Sequence, residues 1–143
     1  MSNLEQNTII IASNNKGKLI EFEDALKNTQ HQFLPQDEYS VPEAEETGLT
    51  FVENAILKAR NACVHSNMPA IADDSGLVVP AINDEPGIYS ARYAGENKSF
   101  PNNIEKLLHE LDETPQEQRY AYFICVLAYL RHPDDPIPMI FQG

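Results

Sequence analysis

Apolar residues along this 143-residue chain fall into short continuous runs that alternate with stretches of helical spacing. Thr8-Ile9-Ile10-Ile11-Ala12 is a β-branched run of the kind buried in a sheet covered on both faces, and it stops abruptly at a polar loop. Leu19, Phe22 and Leu26 then recur at i, i+3 and i+7, so the opening pattern is strand, loop, helix. Residues 32–34 form a weaker strand, and residues 35–48 keep no steady period and read as a loop or a short irregular element.

Thr50-Phe51-Val52-Glu53 has a hydroxyl at an N-cap position and a carboxylate three residues on, which predicts a helix running to about Ser66. In that helix Phe51, Ala55, Ala59 and Cys63 make an apolar stripe. Asn54, Lys58 and Asn61 make a polar one that needs a destination. Pro69-Ala70-Ile71-Ala72 reads as a short buried strand entering Asp73-Asp74-Ser75-Gly76, with a second strand over residues 77–82. Pro86-Gly87 marks a turn, and Ile104, Leu107, Leu108 and Leu111 mark an amphipathic helix with Ser99 as its cap. Residues 120–130 read as one long, largely buried strand. A proline-rich turn follows, and Met139-Ile140-Phe141 opens another apolar run. Alternating strands and helices, with no repeat, low-complexity tract or glycine-serine linker, predict a single α/β domain over residues 1–143.

Charge narrows the partners. Ten Lys and Arg against 22 Asp and Glu give a net charge of -12, a field that repels phosphate backbones and argues against nucleic-acid binding. A polyphosphate ligand therefore needs local cations or a metal. Cys63 and Cys125 make no CxxC and read as buried structural thiols. Residues 1–8 are polar without a basic segment and apolar core, and no run approaches membrane-spanning length, so a cytoplasmic, unprocessed protein away from membranes is expected.

Three places carry candidate chemistry. Ser13-Asn14-Asn15-Lys16-Gly17-Lys18 links a buried strand to a helix N-terminus, whose N–H groups and dipole suit phosphate. It lacks the GxxxxGK[ST] spacing, and a solvated turn is the alternative. Asp73 and Asp74 are adjacent, so in extended backbone they point to opposite faces and cannot both ligate one ion. That spacing also differs from the Asp-x-Asp of haloacid-dehalogenase-type phosphatases. A plain turn is the alternative, since Asp, Ser and Gly all favour turns. Glu43, Glu45 and Glu46 cluster in the irregular loop, where carboxylate oxygens suit magnesium or simply face water. Lys58 offers an ammonium to a phosphate oxygen or to solvent, and Arg92 is a further cation among aromatic residues. Four scattered histidines have no ligand spacing, and no nucleophile triad is visible.

Taken in order, Ser13-Asn14-Asn15-Lys16-Gly17-Lys18, Glu45-Glu46-Thr47-Gly48-Leu49-Thr50-Phe51, Glu53-Asn54-Ala55, Lys58-Ala59-Arg60, Ala72-Asp73-Asp74-Ser75-Gly76-Leu77 and Pro86-Gly87-Ile88-Tyr89-Ser90-Ala91-Arg92-Tyr93 resemble the inosine triphosphate pyrophosphatase family over nearly the whole chain. The resemblance implies an elongated mixed sheet flanked by helices, in a homodimer. It also implies magnesium-dependent hydrolysis of ITP, dITP and XTP to the monophosphate and diphosphate, which clears deaminated purines from the nucleotide pool.

By motif position, Ser13, Asn14, Asn15, Lys16, Gly17 and Lys18 would contact the triphosphate with Lys58, and Ser75 would touch substrate. Glu46 and Asp74 would hold magnesium, Asp74 would also be the proton acceptor for the attacking water, and Asp73 and Glu45 would support them. A carboxylate on magnesium is a weakened base, so the two roles of Asp74 are reconciled if it orients a water whose pKa the metal lowers. Family members continue past Gly143 into an aromatic-glycine-rich segment and a Ser-His-Arg motif that help hold the purine. The expectation is thus a domain truncated at its C-terminus, with a non-catalytic nucleotide-binding or dimerisation fragment as the alternative. The related Maf-type pyrophosphatases carry a Ser-Pro-Arg-Arg-like loop, from which Asn15-Lys16-Gly17-Lys18 departs.

Overall fold

The computed structural model describes residues 7–143; the leaderless reading of residues 1–8 lies almost wholly outside them. Six strands form one sheet in the order β2-β1-β3-β5-β6, with β4 paired to β3. The strands are β1 (Thr8–Ile11), β2 (Gln32–Pro35), β3 (Ala70–Val79), β4 (Glu85–Pro86), β5 (Tyr122–Leu130) and β6 (Met139–Gln142). The helices are α1 (Lys16–Leu26), α2 (Phe51–Ser66) and α3 (Phe100–Glu110). β1 is parallel to both β2 and β3, and β4 is antiparallel to β3, so the sheet is mixed as expected. The chain divides into two compact units, one holding the described residues through Asp73 with Val126–Phe141, the other Asp74–Cys125 with the last two residues.

In the first unit Ile9, Ile10 and Ile11 are buried, as are Ala55, Ala59, Ala62 and Cys63 of α2. These small residues let the helix come close to a β-branched surface, and close packing of that kind supplies most of a helix's stability in a protein. Its start is the expected capping box. Thr50 Oγ1 accepts from Glu53 N–H at 3.2 Å and donates to Glu53 Oε1 at 3.0 Å, while Glu53 Oε2 reaches back to Leu49 N–H at 3.1 Å. It ends at Asn67, whose left-handed φ of 55° turns the chain and lets its N–H bond Cys63 O. The loop after β5 is fixed by buried Asp135. This carboxylate accepts the Arg131 guanidinium at 2.8 and 2.6 Å and the N–H groups of Arg131 and Ile137 at 3.0 Å each. Arg60 of α2 donates to Pro133 O and, at 3.3 Å, to Asp135 O.

The second unit is built around the later part of β3. Val78 and Val79 pair with Pro86 and Glu85, and Ser90 Oγ accepts Leu77 N–H at 2.9 Å while donating to Gly87 O at 2.6 Å. Ser99 caps α3 as expected. Lys106 Nζ lies 4.1 Å from the centre of the Tyr93 ring and donates to Tyr93 O. Cys125 and Gly143 exchange a reciprocal pair of backbone bonds, as in an antiparallel ladder.

Three expectations are corrected. Residues 70–79 form one strand rather than two strands flanking an acidic turn. β1 pairs with its first residues and β4 with its last, so ladder bonds and burial override the turn preference of Asp, Ser and Gly. β5 is buried only toward its end: Val126, Ala128 and Leu130 are covered, while Tyr122, Phe123 and Cys125 are exposed, Phe123 to 79%. Apolar composition sets strand preference, but burial needs a covering layer, such as α2 supplies where Cys63 Sγ meets Leu130 O. Cys125 is accordingly not a buried thiol.

Candidate active site

The polar loop after β1 is a preorganised helix N-terminus. Asn15 is the N-cap of α1, its Oδ1 accepting Lys18 N–H at 3.1 Å, and its own N–H goes to Ser13 Oγ at 3.1 Å. Asn14, Asn15, Lys16 and Gly17 are all exposed, and Ser13 and Lys18 are half-buried. The first turn of α1 contains no acid but carries Lys16 and Lys18, the reverse of the charge that the helix dipole favours there. A helix start that gathers cations instead of carboxylates suits an external anion.

Two buried side chains outside the loop grip it. Asp73 lies on β3, next to the parallel β1 that leads into the loop, and its Oδ2 receives Lys18 Nζ at 2.6 Å. Gln36, the first residue after β2, donates from Nε2 to Asn14 Oδ1 at 2.8 Å. β3 is extended through the acidic pair, so Asp73 and Asp74 leave it on opposite faces. Both are buried, and Ser75 is half-buried.

The polar stripe of α2 has a destination: it holds the acidic loop against the helix. Asn54, 1% exposed, accepts Gly48 N–H at 2.8 Å, Lys58 Nζ lies 3.0 Å from Glu46 Oε1, and Asn61 Nδ2 donates to Pro42 O at 2.8 Å. Gly48 is needed there, because a Cβ would fall 2.6 Å from Glu53 Cβ and 2.7 Å from Asn54 Oδ1. Lys58 and Glu46 are both half-buried, whereas Glu43 and Glu45 are exposed. Lys58 is therefore no solvent-facing surface lysine, and the structure sets Glu46 apart from its acidic neighbours. Arg92 stacks over Tyr89 at 5.3 Å.

Among the described residues, no three His, Cys, Asp or Glu side chains gather into a metal-binding group. Magnesium does not need such a cage. It is commonly held by one or two carboxylates, with waters and substrate phosphates completing an octahedron, and Glu46 and Asp74 each supply hard oxygen donors of that kind.

Burial pushes the Cys63 thiol up to about 11, and burial with the Glu85 hydrogen bond raises Tyr93. The Arg131 fork holds Asp135 well below the usual carboxylate range. Gln36 and Asp135 are the residues that sequence reasoning missed. Nothing in the sequence near Gln36 marks it, since its partner lies 22 positions away.

The family model described as the Ham1 family matches residues 9–143. A dITP/XTP pyrophosphatase of Thioalkalivibrio sulfidiphilus is 55% identical over 135 residues, which are 94% of this chain and 69% of that relative. The Legionella pneumophila (strain Lens) protein of the same name is 53% identical over the same shares. Among solved structures, a HAM1 protein from Coxiella burnetii superposes with a TM-score of 0.90 at 46% identity, over 95% of this chain and 69% of that one. No helix among the described residues is long and apolar enough to cross a membrane.

Proposed function

The chain belongs to the Ham1 family, and from that premise we propose that it hydrolyses the deaminated purine nucleoside triphosphates ITP, dITP and XTP to the monophosphate and diphosphate, with magnesium as cofactor. The observation that carries this reading is the α1 N-terminus: exposed residues Asn14 to Gly17, two lysines in the first turn, no acid, and Lys18 held by buried Asp73.

In this mechanism Ser13, Asn14, Asn15, Lys16, Gly17 and Lys18 grasp the triphosphate through backbone N–H groups, the helix dipole and the two ammonium groups. Lys58 adds a further cation toward phosphate and also positions Glu46. Asp74, assigned as the catalytic base, takes a proton from water as the water oxygen bonds to the α-phosphorus. The bond from that phosphorus to the α-β bridging oxygen breaks, and diphosphate leaves with the electron pair. Bound magnesium, for which Glu46 and Asp74 are the proposed ligands, supplies charge neutralisation on the phosphates and acidifies water. Ser75 contacts substrate, Asp73 fixes Lys18, and Glu45 supports Glu46. The enzyme is read as a cytoplasmic homodimer.

The test is to incubate the protein with magnesium and ITP, dITP, XTP, ATP or dTTP and to measure diphosphate and monophosphate. Diphosphate from the deaminated purines in clear preference supports the reading. Preference for ATP or dTTP overturns the specificity, and ITP binding without diphosphate release favours a non-catalytic nucleotide-binding fragment.

A further inference from the structure

We infer that Gln36 is a positioning residue for the anion loop: by donating to Asn14 Oδ1, it turns the Asn14 NH2 group outward, as a donor to phosphate. The inference rests on the reading of residues 13–18 as the phosphate loop and names a residue outside that loop on which its selectivity depends.

Gln36 follows β2, whose Pro35 is in register with Ile11 at the end of β1, so the two strands deliver Gln36 and the loop to the same end of the sheet. Gln36 is 6% exposed, and its carbonyl accepts Val41 N–H at 3.4 Å, which ties it into the short 3-10 helix Gln36–Tyr39. Asn14, by contrast, is exposed. An amide side chain carries its oxygen and its NH2 in one plane, diverging from the same carbon, so turning one inward turns the other outward. With the oxygen taken by a buried donor at 2.8 Å, the NH2 is left on the open side. The opposite orientation would face phosphate oxygens with a carbonyl oxygen, where lone pairs repel.

Gln is the side chain this task needs. Met of similar length would fill the space without donating, so Asn14 would lose its bias. Glu would accept from the Asn14 NH2 and reverse it. Asn14 and Gln36 are thus a pair in which the buried member selects the sign of the exposed one.

The experiment is calorimetric titration with magnesium and inorganic tripolyphosphate of the wild type, Gln36→Met, Asn14→Ala, the double variant, Gln36→Glu and Lys18→Ala, each with its melting temperature. One oriented hydrogen bond corresponds to about three- to tenfold in affinity, so Gln36→Met and Asn14→Ala should each weaken binding by about that factor. The double variant should be no weaker than Asn14→Ala, and Gln36→Glu should be weaker than Gln36→Met. Wild-type affinity in Gln36→Met, or single effects that multiply in the double variant, overturns the inference. Asn14→Asp reads the same orientation from the exposed side should a Gln36 variant not fold. With Gln36 donating to one carboxylate oxygen, the other faces the anion, so binding should fall below that of Asn14→Ala, and wild-type affinity there also overturns the inference. If Lys18→Ala binds as the wild type does, the phosphate loop itself is misassigned. If Lys18→Ala weakens binding while Gln36→Met does not, only the positioning role fails.

Discussion

Lys18 Nζ and Asp73 Oδ2 stand 2.6 Å apart, joining the first turn of α1 to β3. The Lys18 side chain is a third exposed while that of Asp73 is buried, so the lysine is anchored on a buried carboxylate and still reaches the surface. A charge-assisted hydrogen bond to phosphate contributes about 1.5–3 kcal/mol. Lys18→Ala should therefore raise KM for ITP by about ten- to a hundredfold and, by removing the cation paired with buried Asp73, should also lower the melting temperature. An unchanged KM would contradict the role of the loop.

Asn54 and Gly48 test how the acidic loop is held. Asn54→Ala leaves Gly48 N–H without its acceptor, and an unsatisfied buried group costs about 1–3 kcal/mol. Gly48→Ala forces a Cβ into Glu53 and Asn54. Both variants should lower the denaturant midpoint, and Asn54→Ala should also lower activity by displacing Glu46, which lies two residues before Gly48 and is held by Lys58. Wild-type stability in both would contradict the described packing.

These two regions show where sequence reasoning succeeds. The capping box of α2 was legible because Thr50 and Glu53 interact over three residues. The polar stripe Asn54, Lys58, Asn61 was legible as a periodicity, but its partners Gly48, Glu46 and Pro42 belong to a segment with no period. The acidic pair was misread as a break between strands because turn preference is local, whereas the ladders on β3 come from β1 and β4. Gln36 left no trace at all, since a polar residue after a strand ordinarily faces water.

The Arg131–Asp135 fork gives a pH dependence of definite sign. The folded carboxyl lies below the ordinary value of 3.8, so its contribution to stability is fully present above that pH. It is lost as pH falls through the folded value. Melting temperature should drop below about pH 4 in the wild type, and Asp135→Asn should be less stable at neutral pH with a flatter acid limb. Parallel acid limbs in the two proteins would show that the fork does not contribute.

The two thiols should differ in reactivity. Cys63 is buried with its thiol pushed up to about 11, and Cys125 is exposed, so alkylation of the native protein at pH 8 should stop at one equivalent, on Cys125. Cys125→Ser should then take up reagent only in denaturant. Labelling of Cys63 in the native state would contradict the packing of α2 on β5.

The central claim is hydrolysis of deaminated purine triphosphates through Asp74, and the direct measurement is diphosphate released from ITP in the presence of magnesium by the wild type and by Asp74→Asn. The wild type should release diphosphate and inosine monophosphate in equal amounts. Asp74→Asn, with its melting transition retained, should be slower by about a hundredfold or more, the usual effect of losing a general base. Equal rates in the two proteins, or no diphosphate from a wild type that binds ITP, would contradict the account.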